Sequence, residues 1–194
     1  FPTRRSSDLP VPVAGSPGMP PSVLDDTVVA GWNDLDLLKQ AFERHKGEIA
    51  GVIMEPVQVN AGPSEPVPGY LEGVRALCRE NGALFLCDEV ITGFGRLGHA
   101  FAAERFGVVP DLLTFAKGVT SGTVPMGGVM CRQHIYDAFM NGPDHVIELF
   151  HGYTYTGHPI AAAAGTFMLG TKGKATRPQM IGAEKLLGGE GGKA

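Results

Sequence analysis

The sequence predicts an α/β protein in three layers, with a mainly parallel sheet covered by helices on both faces. Short, nearly continuous apolar runs, typical of strands buried on both faces, alternate with segments whose apolar residues recur at helical spacing. Three of these apolar runs are followed by a charged residue, Glu55, Asp88 or Lys117. Because ligands of open parallel sheets bind beyond the carboxyl ends of the strands, we expect these side chains to meet at one edge of the sheet.

A helix is predicted over NDLDLLKQAFERHK, ahead of the first strand. Asn33 is placed to cap its N-terminus and Gly47 to end it. The apolar residues at helical spacing that form its inward face are Leu35, Leu38 and Phe42. The apolar run IAGVIM at 49–54 predicts the first strand, and a long loop rich in proline and glycine follows it.

A second helix, over GYLEGVRALCRENG, is predicted ahead of the second strand, and Gly82 ends it. The residues of this helix expected to face inward are Leu71, Val74, Leu77 and Cys78. The remaining elements are predicted by their apolar patterns: strands in ALFLC at 83–87, DLLTFA at 111–116 and GGVMC at 127–131, and a helix in QHIYDAFM at 133–140.

Length and composition fit one globular domain, or at most two. The chain has 194 residues, of which 43% are apolar and 19% charged. A net charge of −4 without a basic run gives no reason to expect nucleic acid or a membrane as a partner, and no run of 18 apolar residues predicts a membrane span. Neither the three cysteines nor the six histidines show disulfide or zinc spacing. We therefore expect a cytoplasmic protein without a metal.

The two ends of the chain differ from its middle. Residues 1–22 start without Met, contain no signal-like apolar run and are rich in proline, which indicates an extended or foreign lead-in. Residues 171–194 lose hydrophobic periodicity and are rich in glycine and lysine, which predicts an irregular tail. Residues 23–170 are the informative part.

The stretch GFGRLG at 93–98 matches the glycine spacing G-x-G-x-x-G of dinucleotide-binding units. In that fingerprint a strand runs straight into the glycines, whereas here residues 88–92, which include two carboxylates, intervene. The long helix that the fingerprint requires is also replaced by the short HAFAAERFG and Pro110. A nicotinamide-dependent oxidoreductase is therefore the weakest of the functional interpretations.

Lys117 and Asp88 indicate a function only when they are considered as a pair. Alone, Lys117 fits a cation at the rim of the sheet, and Asp88 fits a helix cap or an ion-pair partner. Together they are the two groups that pyridoxal phosphate requires: an amine that attacks its aldehyde and a carboxylate on its ring nitrogen. If the chain stays extended, Val90 points to the same side as Asp88 and could pack on the ring, although plain core packing fits it equally well.

Four separated motifs resemble those of the class III aminotransferases in order and spacing: EP at 55–56, DEVITGFGR at 88–96, PDLLTFAKG at 110–118 and HGYTYTGHP at 151–159. The resemblance covers residues 23–170 and implies part of the large, pyridoxal-phosphate-binding domain of a fold type I enzyme. Residues 88–165 look most like omega-amino acid or beta-alanine to pyruvate aminotransferases. Residues 14–88 look closer to glutamate-1-semialdehyde aminomutases.

The resemblance implies a role for each matching residue. Lys117 would be the aldimine lysine and proton shuttle, Asp88 the partner of the pyridine nitrogen, and Val90 the residue that packs on the ring. Thr154 would bind the cofactor phosphate of the neighbouring subunit in a homodimer, unless it is an ordinary turn hydroxyl. Glu55 would line the substrate side and pair with an arginine, unless it is a plain loop charge.

The implied reaction is transamination between a small-molecule amino donor and a keto acid such as pyruvate. One alternative is an aminomutase, an isomerase that uses the same lysine and cofactor. The other is an inactive fragment, because family members are much longer than this chain. Their small domain, glycine-serine phosphate loop, ring-stacking aromatic residue and carboxylate-binding arginine are expected to lie outside it.

Overall fold

The computed structural model of the chain describes residues 9–143, 145 and 149–167. Its centre is a four-stranded sheet in the order β1-β2-β3-β4. The strands are Gly51–Met54 (β1), Leu84–Asp88 (β2), Leu112–Phe115 (β3) and Gly128–Cys131 (β4). Strands β1, β2 and β3 are parallel to one another and β4 is antiparallel to β3, so the predicted α/β fold with a mainly parallel sheet is confirmed.

The helices alternate with the strands along the chain. They are Ser22–Asp25 (α1), Leu35–Arg44 (α2), Tyr70–Glu80 (α3), Ala102–Arg105 (α4) and Gln133–Phe139 (α5), and residues 159–167 are helical as well. Residues 9–21 contain no helix or strand. The predictions for residues 1–8 of the lead-in and for the tail at 171–194 lie outside the described residues.

The core lies between the sheet and helices α2 and α3. Helix α3 packs on β2 and on α2, as the apolar faces of both helices predict. The predicted inward residues that are buried in this core are Leu38, Phe42, Leu71, Val74 and Cys78. Leu35 and Leu77 are partly buried against it. The helical spacing of the apolar residues therefore identified the packed faces correctly.

The N-cap of α2 is Asp34, so the prediction of Asn33 is wrong. Oδ1 of Asp34 accepts hydrogen bonds from two backbone N–H groups of the first helical turn, at 3.1 and 3.0 Å. Asn33 has a φ of 63° and binds the loop after β1, because its side chain accepts from Val67 N at 2.9 Å and donates to Glu65 O at 3.2 Å. Both residue types cap helices well, and this long-range contact decides between them.

The three cysteines are free thiols. Cys78 and Cys87 are buried, and burial raises the pKa of the Cys78 thiol to about 11. Burial also raises the pKa of Cys87, and the nearby Glu89 carboxylate adds to that rise. Both residues pack as small core side chains, as the apolar runs around them indicate. Among the described residues, no helix is long and apolar enough to cross a membrane.

Candidate functional site

The three charged residues predicted to meet lie beyond the carboxyl ends of neighbouring parallel strands. Glu55 follows β1, Asp88 ends β2, and Lys117 lies two residues after β3. The register keeps these ends level, because the last residue of β1 lies beside Cys87 and Asp88 lies beside Thr114. Glu55, Asp88 and Lys117 therefore share one edge of the sheet.

Asp88 uses one carboxylate oxygen to hold its own position. Oδ1 accepts hydrogen bonds from the backbone N of Val90 at 3.1 Å and from Oγ1 of Thr114 at 3.3 Å. Within the described part of the chain, Oδ2 accepts no hydrogen bond, and the residue is half-buried. A carboxylate oriented through one oxygen keeps the other available for an N–H donor of a ligand.

The chain does not stay extended after Asp88, so the condition for placing Val90 on the same side is not met. Residues 90–97 form successive turns, and Val90 N donates to the Asp88 side chain as in an Asx-turn. An aspartate followed by a glycine-rich stretch favours such a turn over a continued strand. Val90 is half-buried, and its packing on a cofactor ring stays a prediction.

Lys117 begins a 3₁₀-helix, Lys117–Thr120, with a φ of 45°. A non-glycine residue in this left-handed region costs about 1–3 kcal/mol and persists only where its surroundings enforce it. Phe94 and Ser121 share the conformation, with φ values of 58° and 54°. All three residues line one open depression of about 520 Å³. Because strained residues cluster at functional sites, this depression is the candidate site.

Two walls form the depression, one from the loop after β2 and one from the 3₁₀-helix. They touch at Gly118, where a Cβ would lie 3.0 Å from Phe94 Cβ and 3.3 Å from Gly93 O. The Phe94 ring packs edge-on against the rings of Phe101 and Phe115, with centroids 5.2 and 5.6 Å apart. The first wall is therefore seated on an aromatic cluster, and a side chain at position 118 would push the walls apart.

The Lys117 side chain is exposed, and no hydrogen bond or ion pair holds its amine among the described residues. Among these residues the amine is therefore open to solvent. An amine at a sheet edge without a protein partner is accessible to a carbonyl ligand. Its location next to the strained backbone distinguishes it from an ordinary surface lysine.

The Glu55 carboxylate anchors the loop after β1. It accepts hydrogen bonds from the backbone N–H groups of Val59 at 2.8 Å and Asn60 at 3.2 Å, and from Nδ2 of Asn60 at 2.6 Å. None of these partners is an arginine, so the described residues do not contain the predicted arginine pair. Glu55 lies at the edge of the site, and its carboxylate oxygens accept hydrogen bonds from its own loop.

Thr154 lies at the surface, in a turn over residues 154–157. The turn is closed by Thr156, whose N donates to Tyr153 O at 2.9 Å and whose Oγ1 accepts from Tyr153 N at 2.8 Å. The neighbouring Phe150 and Tyr155 are 89% and 78% exposed. Thr154 is thus not packed in the core of this chain, and its contact with a neighbouring subunit stays a prediction.

Sequence reasoning assigned no role to Glu89, whose side chain is fully buried. Its Oε2 accepts hydrogen bonds from Thr92 Oγ1 and Ala102 N, and its Oε1 accepts from Ala103 N, each at 2.7 Å. Burial raises the pKa of Glu89, and these three hydrogen bonds oppose that rise. The signal that could have revealed it is the pair Asp88 and Glu89 at the end of a buried strand, because alternation turns one of two neighbours inward.

A larger depression of about 920 Å³ runs along the side of β1 that faces away from β2. Glu55 lines it, but Asp88 and Lys117 do not. It therefore brings none of the predicted site residues together. In the described part of the chain, no group of three or more His, Cys, Asp or Glu side chains could hold a metal ion.

The residues at this edge fit the cofactor implied by the motifs. Pyridoxal phosphate requires an amine for its aldehyde and a carboxylate for its protonated ring nitrogen. In the part of the chain that the structure describes, Lys117 supplies an amine without a protein partner, and Asp88 supplies an oriented carboxylate whose Oδ2 accepts no hydrogen bond. In a structural ion pair the amine and the carboxylate would satisfy each other, so neither group would be available to a cofactor.

Comparison with known proteins agrees with the motifs. The profile of the family described as aminotransferase class-III matches residues 16–175. The chain is 57% identical over 123 residues to the omega-aminotransferase of Caulobacter vibrioides, which covers 63% of this chain and 28% of that protein. It is 44% identical over 158 residues to the glutamate-1-semialdehyde 2,1-aminomutase of Alkaliphilus oremlandii, with 81% and 36% covered. The chain thus spans about a third of the length of these curated relatives.

The solved structures that this chain resembles agree with the sequence matches. An (S)-enantioselective omega-transaminase from Thermomicrobium roseum has a TM-score of 0.66 and 41% identity, over 79% of this chain and 32% of that one. A taurine:2-oxoglutarate aminotransferase from Bifidobacterium kashiwanohense, solved in complex with PLP and glutamate, has a TM-score of 0.63 and 47% identity, over 68% and 29%. The fold is therefore that of the pyridoxal-phosphate transaminases.

Proposed function

The chain belongs to the class III aminotransferases, a pyridoxal-phosphate-dependent family, and on that premise we propose that its protein transfers an amino group from an amino donor to a keto acid such as pyruvate. The observation that carries the proposal is the strained Lys117, whose amine has no partner among the described residues, at the same sheet edge as Asp88. Residues 23–170 would form part of the cofactor-binding large domain. The free thiols fit a reducing, cytoplasmic compartment.

Lys117 would act at two points. Its Nζ would hold the cofactor covalently through the aldehyde group and, as a free amine during turnover, would move the proton of the amino-bearing carbon of the donor. When bound, the cofactor supplies an electron sink for the electron pair that this proton leaves behind. A single amine would thus both hold the cofactor and carry out the acid–base step.

Asp88 would keep the ring nitrogen protonated through its open Oδ2. The hydrogen bonds from Val90 N and Thr114 Oγ1 to Oδ1 fix the direction of the carboxylate, so it is oriented before the cofactor binds. Val90 would pack against the ring. Thr154 would bind the cofactor phosphate of the neighbouring subunit in a homodimer, and Glu55 would border the substrate.

An aminomutase is the second candidate function. The observation that favours it is the match to the aminomutase of Alkaliphilus oremlandii, which extends over 81% of this chain, against 63% for the omega-aminotransferase of Caulobacter vibrioides. Both reactions would use Lys117 and Asp88 in the same roles. Turnover of the amino donor with and without a keto acid separates them, because only transamination consumes an acceptor in equal amount.

The test of the proposal is Lys117→Ala in the protein encoded by the complete reading frame. We expect amino transfer to pyruvate to fall by at least about 10²- to 10⁴-fold, the usual contribution of a general acid–base group. Borohydride reduction followed by peptide mass spectrometry should find the cofactor bonded to Lys117 in the wild type and absent in the variant. In Asp88→Asn the bond to Lys117 should remain while transfer weakens.

Lys39→Ala is the matched control, because Lys39 is exposed and pairs with Asp36 on helix α2, away from the sheet edge. It should keep both the trapped cofactor and the transfer rate. Near-normal transfer by Lys117→Ala together with a cofactor that is still trapped by borohydride would refute the assignment of Lys117.

A further inference from the structure

The buried carboxylate of Glu89 ties together the two ends of the loop that follows β2. Near the start of the loop, the backbone O of Glu89 accepts from Gly93 N at 2.9 Å. At its far end, the carboxylate accepts from the N–H groups of Ala102 and Ala103, 13 and 14 residues along the chain. Its backbone N also donates to Thr114 O on β3 at 2.9 Å. One residue therefore joins both ends of the loop to the sheet.

The same loop provides one wall of the Lys117 depression. Its residues 93–96 line the depression opposite Lys117 and Gly118. Phe94 N donates to Ala100 O at 2.6 Å, so the wall is bonded to the end of the loop that Glu89 holds. The wall also packs closely against Gly118, where an added Cβ would lie only 3.0 Å from Phe94 Cβ. The loop therefore has little freedom to shift without changing the surroundings of Lys117.

The hydrogen bonds require a group that only accepts. Three donors point at the two oxygens of Glu89, and each lies at 2.7 Å. A carboxylate satisfies all three, whereas the amide of a glutamine would turn its NH₂ group towards at least one backbone N–H or hydroxyl donor. Glu89→Gln therefore keeps the volume of the side chain and removes part of the loop attachment.

We propose that Glu89 is a positioning residue that fixes the 93–96 wall against Lys117 and so determines the access and orientation of the Lys117 amine. This rests on the proposed function of Lys117, but Glu89 is buried, does not line the depression and acts through the loop. The two adjacent carboxylates thus have different roles. The carboxylate of Glu89 turns inward and holds the loop, whereas the carboxylate of Asp88 keeps one oxygen available for the cofactor among the described residues.

The experiment compares the wild type with Glu89→Gln in the cofactor-free protein from the complete reading frame. Hydrogen exchange of the amides in residues 93–100 should become about tenfold faster in the variant, because a loop attachment is lost. The rate at which an amine-reactive reagent labels Lys117, measured by peptide mass spectrometry relative to Lys39, should rise several-fold. Neither readout depends on catalysis.

Asp111→Ala separates positioning from general loss of stability. The Asp111 carboxylate accepts from Phe85 N at 2.9 Å at the amino end of the strands, so its removal weakens the sheet far from Lys117. It should leave the labelling ratio of Lys117 to Lys39 unchanged. If Glu89→Gln behaves like Asp111→Ala in both readouts, the proposal is wrong.

Thr92→Val provides a second variant if Glu89→Gln does not fold. It removes the hydroxyl donor to Oε2 and keeps the carboxylate with its two backbone partners. We expect the same changes in exchange and labelling, only smaller, and unchanged values in this variant would overturn the proposal. A failure of the proposed function appears separately, as wild-type protein in which borohydride traps no cofactor on Lys117.

Discussion

The loops that follow β1 and β2 are held by the same chemistry in two different environments. Each begins with a glutamate at the strand end whose carboxylate accepts hydrogen bonds from backbone N–H groups further along the loop. Glu55 reaches only the N–H groups of residues 59 and 60, so it closes a short turn. Glu89 reaches residues 102 and 103, so it closes the whole loop. Glu55 is half-buried, whereas Glu89 is inaccessible to solvent.

The burial of a contact determines how strongly the stability of the protein depends on it. Water can replace a lost carboxylate at the loop of Glu55, because its partner Asn60 is exposed and its partner Val59 is only half-buried. It cannot easily do so at Glu89, whose partners Ala102 and Ala103 are completely buried. An unmatched buried donor keeps the full cost of its desolvation, which an exposed donor avoids.

The largest loss of stability is expected for Glu89→Ala. This change leaves two buried backbone N–H groups and the Thr92 hydroxyl without an acceptor, and it opens a cavity beside them. We expect the free energy of unfolding to fall by about 3 kcal/mol, as for other buried hydrogen-bonded charges that lose their network. Urea unfolding of the full-length protein, followed by circular dichroism, measures it. A loss no larger than that of Glu55→Ala would contradict the importance of burial.

Glu55→Ala is the matched change at the other loop. Its backbone partners can bind water, so we expect a loss of about 0.5–1.5 kcal/mol in the same measurement. Hydrogen exchange at Val59 and Asn60 should accelerate, while exchange at Ala102 and Ala103 stays at the wild-type rate. Acceleration at both loops would mean that they are not independent.

A small pH dependence is expected in the stability that Glu89 contributes. Burial raises the pKa of Glu89 in the folded protein above its value in the unfolded chain, so between these two values the folded state binds more protons. The contribution of this group to stability is therefore complete below the unfolded pKa and is lost as the pH rises through the folded pKa. The difference in urea midpoint between wild type and Glu89→Gln should decrease over that window and then level off. A difference that grows with pH would show that the hydrogen bonds outweigh burial.

Much of the fold followed from local patterns. The strand predicted at 49–54 is observed as Gly51–Met54, and those predicted at 83–87 and 111–116 are observed as Leu84–Asp88 and Leu112–Phe115. Apolar runs identify strands from the composition of each segment alone, which requires no knowledge of its neighbours. Burial itself differs between the strands, because β2 buries alternate residues whereas Ile53 of β1 is 63% exposed. The prediction of the N-cap of α2 was wrong because Asn33 and Asp34 are equally good candidates by residue type. The contact between Asn33 and Val67 decides between them, and it is visible only in the folded chain.

The order of the four strands and of helices α2, α3 and α5, and the three strand ends where Glu55, Asp88 and Lys117 lie, follow from the sequence alone, because hydrophobic periodicity is a local property of the chain. Helices α1 and α4 and the helix at 159–167 were not predicted. The inward turn of Glu89 and the left-handed backbone of Lys117, in contrast, depend on the tertiary structure. These features depend on partners such as Ala102, Thr114 and Phe94, which lie far away along the chain and approach only when the sheet has formed. The features predicted from the sequence differ from those that need the fold in the range of the interactions behind them. Burial patterns act within one element, whereas these hydrogen bonds and close contacts join separate elements.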